Sequence, residues 1–172
     1  MAKKRVDYKE YVEETIKAFD ESRVLLVSKG KQGPPNAMAI GWGTVGIIWR
    51  KPIFIVLVRP SRHTYKLIEE AGDFTVNIMP AQMKDVVQFC GTVSGRDYNK
   101  FEEKQLTAIP SSKVKAPIIK ESILHYECQI VYNNDLVPSK LFESIKPAFY
   151  PKGDFHRIYF GEILACQKEV SL

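Results

Sequence analysis

Most reactive residue types in this chain stand alone. The histidines His63, His125 and His156 share no repeated spacing, and Cys90, Cys128 and Cys166 form no CxxC pair or Cys/His ligand set. Such spacing supports neither a zinc site nor a redox dithiol. No GxGxxG follows a strand pattern, and P-loop, HExxH and GxSxG signatures are lacking. The carboxylates fall mostly on helix surfaces, with no pair spaced for acid–base work. An enzyme made from these residues would take its hard chemistry from a bound cofactor. Two segments could receive one. Ala37, Ala39, Gly41 and Gly43 alternate along one strand pattern, which either admits a flat or bulky group to the backbone or packs a tight barrel interior. The polar run GTVSGRDYNKF over 91–101 carries Ser94, Arg96 and Lys100. It offers an anionic ligand a cradle, or is a solvated surface turn.

The elements that must position these segments follow from periodicity. Tyr8, Tyr11, Val12, Ile16 and Phe19 recur at helical steps, predicting an amphipathic first helix over 8–19 that covers a barrel end or a partner. Strands are expected at 24–28, 36–42, 44–48 and, after a turn at Lys51-Pro52, 53–58. Arg59-Pro60-Ser61 breaks that run and offers Ser61 as cap for a helix over 62–70, closed by Gly72. A strand at 73–78 ends at Pro80. Met83, Val86, Val87 and Cys90 mark a helix that Gly91 should terminate. Two long strands close the chain. In the first, Leu124, Tyr126, Cys128, Ile130 and Tyr132 share a face opposite His125, Glu127 and Gln129. The last, 156–167, is apolar on both faces, which predicts a barrel core on one side and a second subunit on the other. Between them, 137–153 carries Pro138, Pro147 and Pro151 with a helical-looking stretch at 139–145, an expected excursion over a barrel mouth.

Composition bounds the class. A chain of 172 residues, 45% hydrophobic and 26% charged, fits one domain with a core large enough to need no disulfide or metal staple. An odd number of cysteines suits a reducing, cytoplasmic setting. The basic start runs into Asp7 and Glu10 without an apolar stretch, unlike a signal peptide, and no apolar run is long enough for a bilayer. A net charge of +5 is mild and scattered, without the aromatic-basic stripe of an RNA-reading sheet. An anionic small ligand explains the charge at least as well as nucleic acid.

The order of segments resembles the flavin reductase-like family. Carrying the resemblance are Asn36-Ala-Met-Ala-Ile-Gly-Trp-Gly-Thr44, Arg62-His-Thr-Tyr-Lys-Leu-Ile68, Gly72-Asp-Phe-Thr-Val-Asn77, and CGTVSGRDYNKF from Cys90 to Phe101. Ala116-Pro117 before Tyr126-Glu-Cys128, and Gly153-Asp-Phe-His156 before Tyr159-Phe-Gly-Glu162, complete the series. The resemblance covers a core of about 20–166, behind the N-terminal helix at about 7–20. It implies a mainly β fold with flanking helices, the FMN-binding split β-barrel, usually a homodimer with flavin sites at the subunit interface.

The resemblance also implies roles. Asn36, Ala37, Met38, Ala39, Trp42, Gly43 and Thr44 would lie beside the flavin ring. Arg62, His63 and Thr64 would hold its phosphate at a helix start, where free N–H groups favour a dianion. Ser94, Gly95 and Lys100 would add bonds and charge from the neighbouring loop. His156 matches a position near the nicotinamide or open flavin face; it could equally serve a structural hydrogen bond. The implied activity is NAD(P)H-dependent flavin reduction through bound FMN. The alternatives are a flavoredoxin-like electron carrier and a split-barrel module that has lost flavin. The excursion at 137–153 has no counterpart in the family core.

Overall fold

Period-two alternation builds an antiparallel sheet in the computed structural model, which describes residues 2–170. The strands are β1 (Ala2–Arg5), β2 (Val24–Ser28), β3 (Asn36–Ala39), β4 (Gly43–Ile48), β5 (Lys51–Val58), β6 (Asp73–Ile78), β9 (Leu124–Asp135) and β10 (Arg157–Val170). They pair in the order β3-β2-β6-β9-β10-β5-β4. Two short strands, β7 (Ala108–Ile109) and β8 (Ile118–Ile119), form a separate ribbon. The helices are α1 (Val12–Asp20), α2 (His63–Ala71), α3 (Lys84–Thr92), α4 (Lys100–Glu103) and α5 (Ile145–Phe149).

The long strand β10 holds the sheet together. It pairs with β9 along most of its length, with β5 through Glu162, and with β1 from Gln167 onward. Two register shifts bend it. Gly161 lies at one of them, and a side chain there would strike the Phe74 ring and Cys128. Tyr159 and Ile163 point into the main core with Phe54, Phe74, Val76 and Tyr126. A second core lies on the opposite face of β2 and β3, where Leu25, Val27 and Ala37 meet Val86, Val87 and Cys90 of α3. Strand β2 is therefore buried throughout.

Several elements depart from the sequence expectation. The chain opens on β1, and α1 begins only after a 3-10 turn at Tyr8–Tyr11. Its buried residues are Thr15 and Ala18, whereas Ile16 is exposed, because Thr15 turns inward to bond the Tyr126 hydroxyl at 2.6 Å. The β4–β5 turn is Trp49-Arg50, both with positive φ, and β5 already starts at Lys51. Pro52 is tolerated because β10 pairs with β5 only from Ile53. Gly91 does not stop α3: it lets the helix approach Ala39 on β3, where an added Cβ would come within 3.0 Å of the alanine methyl. The helix in the excursion lies at Ile145–Phe149 rather than 139–145, after a 3-10 turn at Pro138–Lys140. The strand predicted over 36–42 ends at Ala39.

The polar side of β9 is also covered. Glu127 accepts from Ser112 Oγ at 3.0 Å and Lys113 N at 2.6 Å, and Asp73 accepts from the Lys115 and Ala116 amides. These bonds lay residues 112–116 against β6 and β9, so both carboxylates are buried with partners.

Candidate functional site

Strand β3 ends the sheet order, so one row of its backbone N–H and C=O groups has no strand partner. Beside it, α2 begins at His63 with Arg62 as an extended cap residue, no acid in its first turn and no side-chain cap. The left-handed Gly72 closes that helix, as the sequence predicts, with φ 72°. Ser61 does not cap it. Its amide and hydroxyl instead donate to the Asp154 carboxylate at 3.2 and 2.6 Å. Arg62 N and Tyr65 N donate to the Arg59 and Arg62 carbonyls, which leaves the His63 and Thr64 amides without a partner among the described residues, as an anion site requires.

A cleft of about 170 Å³ opens between β3, the start of α2 and the segment between α3 and α4. It gathers Asn36, Met38, Ala39, Arg62, His63, Thr64, Ser94, Gly95 and Lys100 from the residues singled out in the sequence. A second cleft of about 200 Å³ adjoins it, sharing Met38, Ala39 and Arg62 and ending at Trp42 and His156. The remaining candidates lie elsewhere. Ala37 faces the core under α3, Gly43 sits under the Phe19 ring, and Thr44 is exposed on β4. A broader cleft of about 700 Å³ continues past Asn36, His63, Gly95 and Arg96 toward Lys31 and Tyr98.

Local contacts fix this geometry. Asn36, 5% exposed, donates from Nδ2 to Thr64 Oγ1 at 2.7 Å. Gly95 lies so close to the Asn36 amide that any side chain would strike it. Arg96 donates to the Ser61 carbonyl at 3.1 Å, tying the 94–97 turn to α2. Lys100 is only 4% exposed, and its ammonium donates to the Cys90 carbonyl at 2.6 Å. Burial pushes the Lys100 pKa down, with nearby Arg62 acting in the same direction. Burial also lowers that of His63, helped by Arg96, Lys100 and Lys66. The cleft is therefore a concentration of positive charge.

The other end sets aromatic rings beside Arg59 and Arg62. Trp42 lies 4.8 Å from the His156 ring and 5.3 Å edge-on from Phe149. Burial, then the Arg59 guanidinium, pushes the His156 pKa down to about 4, so the ring is uncharged at neutral pH. Tyr150 Oη lies 2.7 Å from His156 Nδ1. Sequence reasoning missed Arg59, Tyr150 and the Cys90 carbonyl. Arg59 lay in plain view before Pro60, but nothing in the spacing of residues 137–153 marked Tyr150. Among the described residues no cluster of three or more His, Cys, Asp or Glu could hold a metal, and no helix is long and apolar enough to cross a membrane.

Known proteins share this chain's family and fold. The family described as flavin reductase like domain matches residues 21–170. An uncharacterized protein of Archaeoglobus fulgidus is 36% identical over 109 residues, covering 63% of this chain and 60% of that protein. The chain thus matches less than two thirds of that relative's length. Among solved structures, flavoredoxin from Methanosarcina acetivorans is 29% identical with a TM-score of 0.68, covering 85% of this chain and 67% of that one. An FMN-binding protein from Thermus thermophilus, with bound 1-cyclohex-2-enone, is 23% identical at a TM-score of 0.65. That match covers 85% of this chain and 69% of the other, and the likeness is one of fold. The fold shared with these neighbours is the mainly β split barrel.

Proposed function

The chain belongs to the flavin reductase-like family, and from that premise we propose that it binds FMN in the groove along β3 and acts as an NAD(P)H-dependent flavin reductase. One observation carries the reading: two adjoining clefts that share Arg62 run from the buried ammonium of Lys100 to the aromatic rings of Trp42 and an uncharged His156. A phosphate on one side of a ligand and a planar ring on the other match those two ends.

The residues fit the group. A buried ammonium with one carbonyl partner has N–H capacity left for a phosphate oxygen. Thr64 Oγ1 accepts from Asn36, which frees its own proton to donate. Arg62 has no carboxylate partner among the described residues and adds charge at the helix start. The unpaired edge of β3 offers N–H and C=O groups to a polar ring edge, with Met38 and Ala39 beside it. When bound, FMN supplies hydride acceptance and onward electron transfer. The protein's share is to anchor the phosphate, orient the ring along β3, and keep an uncharged His156 where a nicotinamide would dock. Acceptors of suitable chemistry are free flavin, a metal complex or a redox protein.

Purified protein loaded with FMN and desalted should stay yellow, near one flavin per chain, and NAD(P)H added without oxygen should bleach it. A colourless eluate overturns the flavin reading. His156→Ala should keep FMN binding while slowing the bleaching, since a displacement of about 1 Å can cost on the order of 100-fold in rate. An unchanged rate removes His156 from the mechanism.

A second reading, a flavoredoxin-like carrier, draws on the placement of Phe149 and Tyr150 against Trp42 and His156. They narrow the end that a nicotinamide would use. Yellow protein that NAD(P)H leaves unbleached, but a reduced protein donor bleaches, would favour it.

A further inference from the structure

We propose that Tyr150, carried by the 137–153 excursion, is a positioning residue. It holds His156 as the neutral tautomer protonated on Nε2, so that the aromatic end of the groove presents one N–H donor to a carbonyl or carboxamide oxygen on a planar ring. The class of ligand rests on the flavin-reductase reading; the tautomer does not.

The argument begins with the phenol. Tyr150 is 3% exposed, and its hydroxyl meets His156 Nδ1 at 2.7 Å. The described residues offer that hydroxyl no second acceptor, and a buried O–H without one would forfeit its hydrogen bond. Its proton therefore points at Nδ1. Burial raises the Tyr150 pKa, so the phenol keeps that proton at neutral pH. Arg59, Arg62 and Asp154 are the charged groups facing the imidazole; both arginines disfavour its protonation and Asp154 favours it. A neutral ring that accepts at Nδ1 must carry its own proton on Nε2. That nitrogen has no protein partner among the described residues, and His156 lines the cleft with Met38, Trp42 and Arg62.

The excursion holds Tyr150 firmly enough for this task. Arg59 donates to the carbonyls of Phe149 at 2.8 Å and Asp154 at 3.1 Å, and its guanidinium lies 5.0 Å over the Tyr150 ring. Phe155 stacks on the Tyr150 ring, with centroids 4.8 Å apart. Ser61 grips Asp154, whose φ of 56° is unusual for a residue other than glycine. The bonds from Arg59 to Phe149 and Asp154, on either side of Tyr150, hold the phenol against His156, as a single tautomer requires.

Nitrogen-15 NMR of the histidine rings tests the proposal on wild-type protein without cofactor. Near neutral pH, His156 should show an unprotonated Nδ1 and a protonated Nε2; in Tyr150→Phe the two shifts should move toward a mixture. A protonated Nδ1 in wild type, or unchanged shifts in the variant, overturns the proposal. Should Tyr150→Phe not fold, the wild-type spectrum alone decides. In FMN-loaded protein the same variant should raise KM for NAD(P)H severalfold with FMN affinity within twofold. An unchanged KM beside shifted tautomers overturns the donor role. Failure of wild type to take up FMN instead overturns the functional reading and leaves the tautomer result standing.

Discussion

Replacing Lys100 by methionine removes a buried ammonium held by the Cys90 carbonyl while keeping a stem of similar length. Burial and Arg62 make the charge costly, while its loss leaves the Cys90 carbonyl without that donor, so the two effects offset and the melting temperature of the apo protein should change little. FMN binding should weaken. A charge-assisted hydrogen bond contributes about 1.5–3 kcal/mol, or roughly 10- to 150-fold, whereas riboflavin, lacking the phosphate, should bind both proteins alike. Titrations with both flavins check this, and equal losses for the two would move the phosphate away from Lys100. His125 is a different kind of buried polar group. It is fully buried on β9 with neither ring nitrogen hydrogen-bonded among the described residues, and burial, then the Lys3 ammonium, pushes its pKa down to about 3. The unfolded residue titrates near 6.5, so above that pH neither state binds the proton. As pH falls from about 6.5 toward about 3, only the unfolded chain takes it up, and stability drops by up to about 1.4 kcal/mol per pH unit. His156 acts in the same direction over a narrower window, down to about 4. Urea midpoints measured across this range should fall less steeply in His125→Leu than in wild type; coincident slopes would clear His125.

Among the elements, the turn between α3 and α4 gives the sharpest test of how the groove is shaped. Gly95→Ala would drive a methyl into the Asn36 amide, which holds Thr64 at 2.7 Å. Overpacking of this sort costs about 1–3 kcal/mol, and here it displaces two groove residues at once. FMN affinity should fall at least tenfold, while Gly46→Ala, on β4 with open space around it, should leave affinity unchanged. Equal affinities in Gly95→Ala and wild type would show that the turn does not shape the site. How much of this was legible varies by element. Helix α2 could be read to within a residue at each end from Pro60, the apolar spacing and Gly72, although Ser61 binds Asp154 instead of capping it. Gly91 misled for a physical reason: glycine serves close approach as well as helix termination, and the Ala39 contact that decides between them comes from a strand some fifty residues earlier. The polar side of β9 was equally opaque, since Glu127 is satisfied by Ser112 and Lys113 rather than by water. Tyr150 left no trace in the sequence, because its partner His156 is identifiable only once Arg59 has fixed the intervening chain.

For the molecule as a whole, the split barrel was legible because alternation names the strands and the order of its segments matched a known family, and the last strand, apolar on both faces, pointed to a covered outer sheet face. Strand β10 turns Tyr159 and Ile163 into the core and leaves Ile158, Phe160 and Leu164 on the other side. Beside them Trp49 packs 6.1 Å from both Tyr132 and Phe160, and Tyr132 lies 5.2 Å from Phe160. Ile47, Trp49 and Tyr132 are 60%, 58% and 44% exposed. A contiguous aromatic patch of this kind is the usual mark of an interaction surface. We propose a second copy of the chain as its partner, the working unit being a dimer. A stable interface buries at least about 1,000 Å² in total, and one central aromatic commonly contributes about 2 kcal/mol or more. Light scattering at micromolar concentration should therefore give a dimer mass for wild type. Trp49→Lys combined with Tyr132→Lys should give a monomer, since both side chains lie outside the core and their loss leaves the barrel intact. A double variant that remains dimeric would move the interface off this face, and a wild-type monomer that still holds FMN would remove the dimer from the proposal.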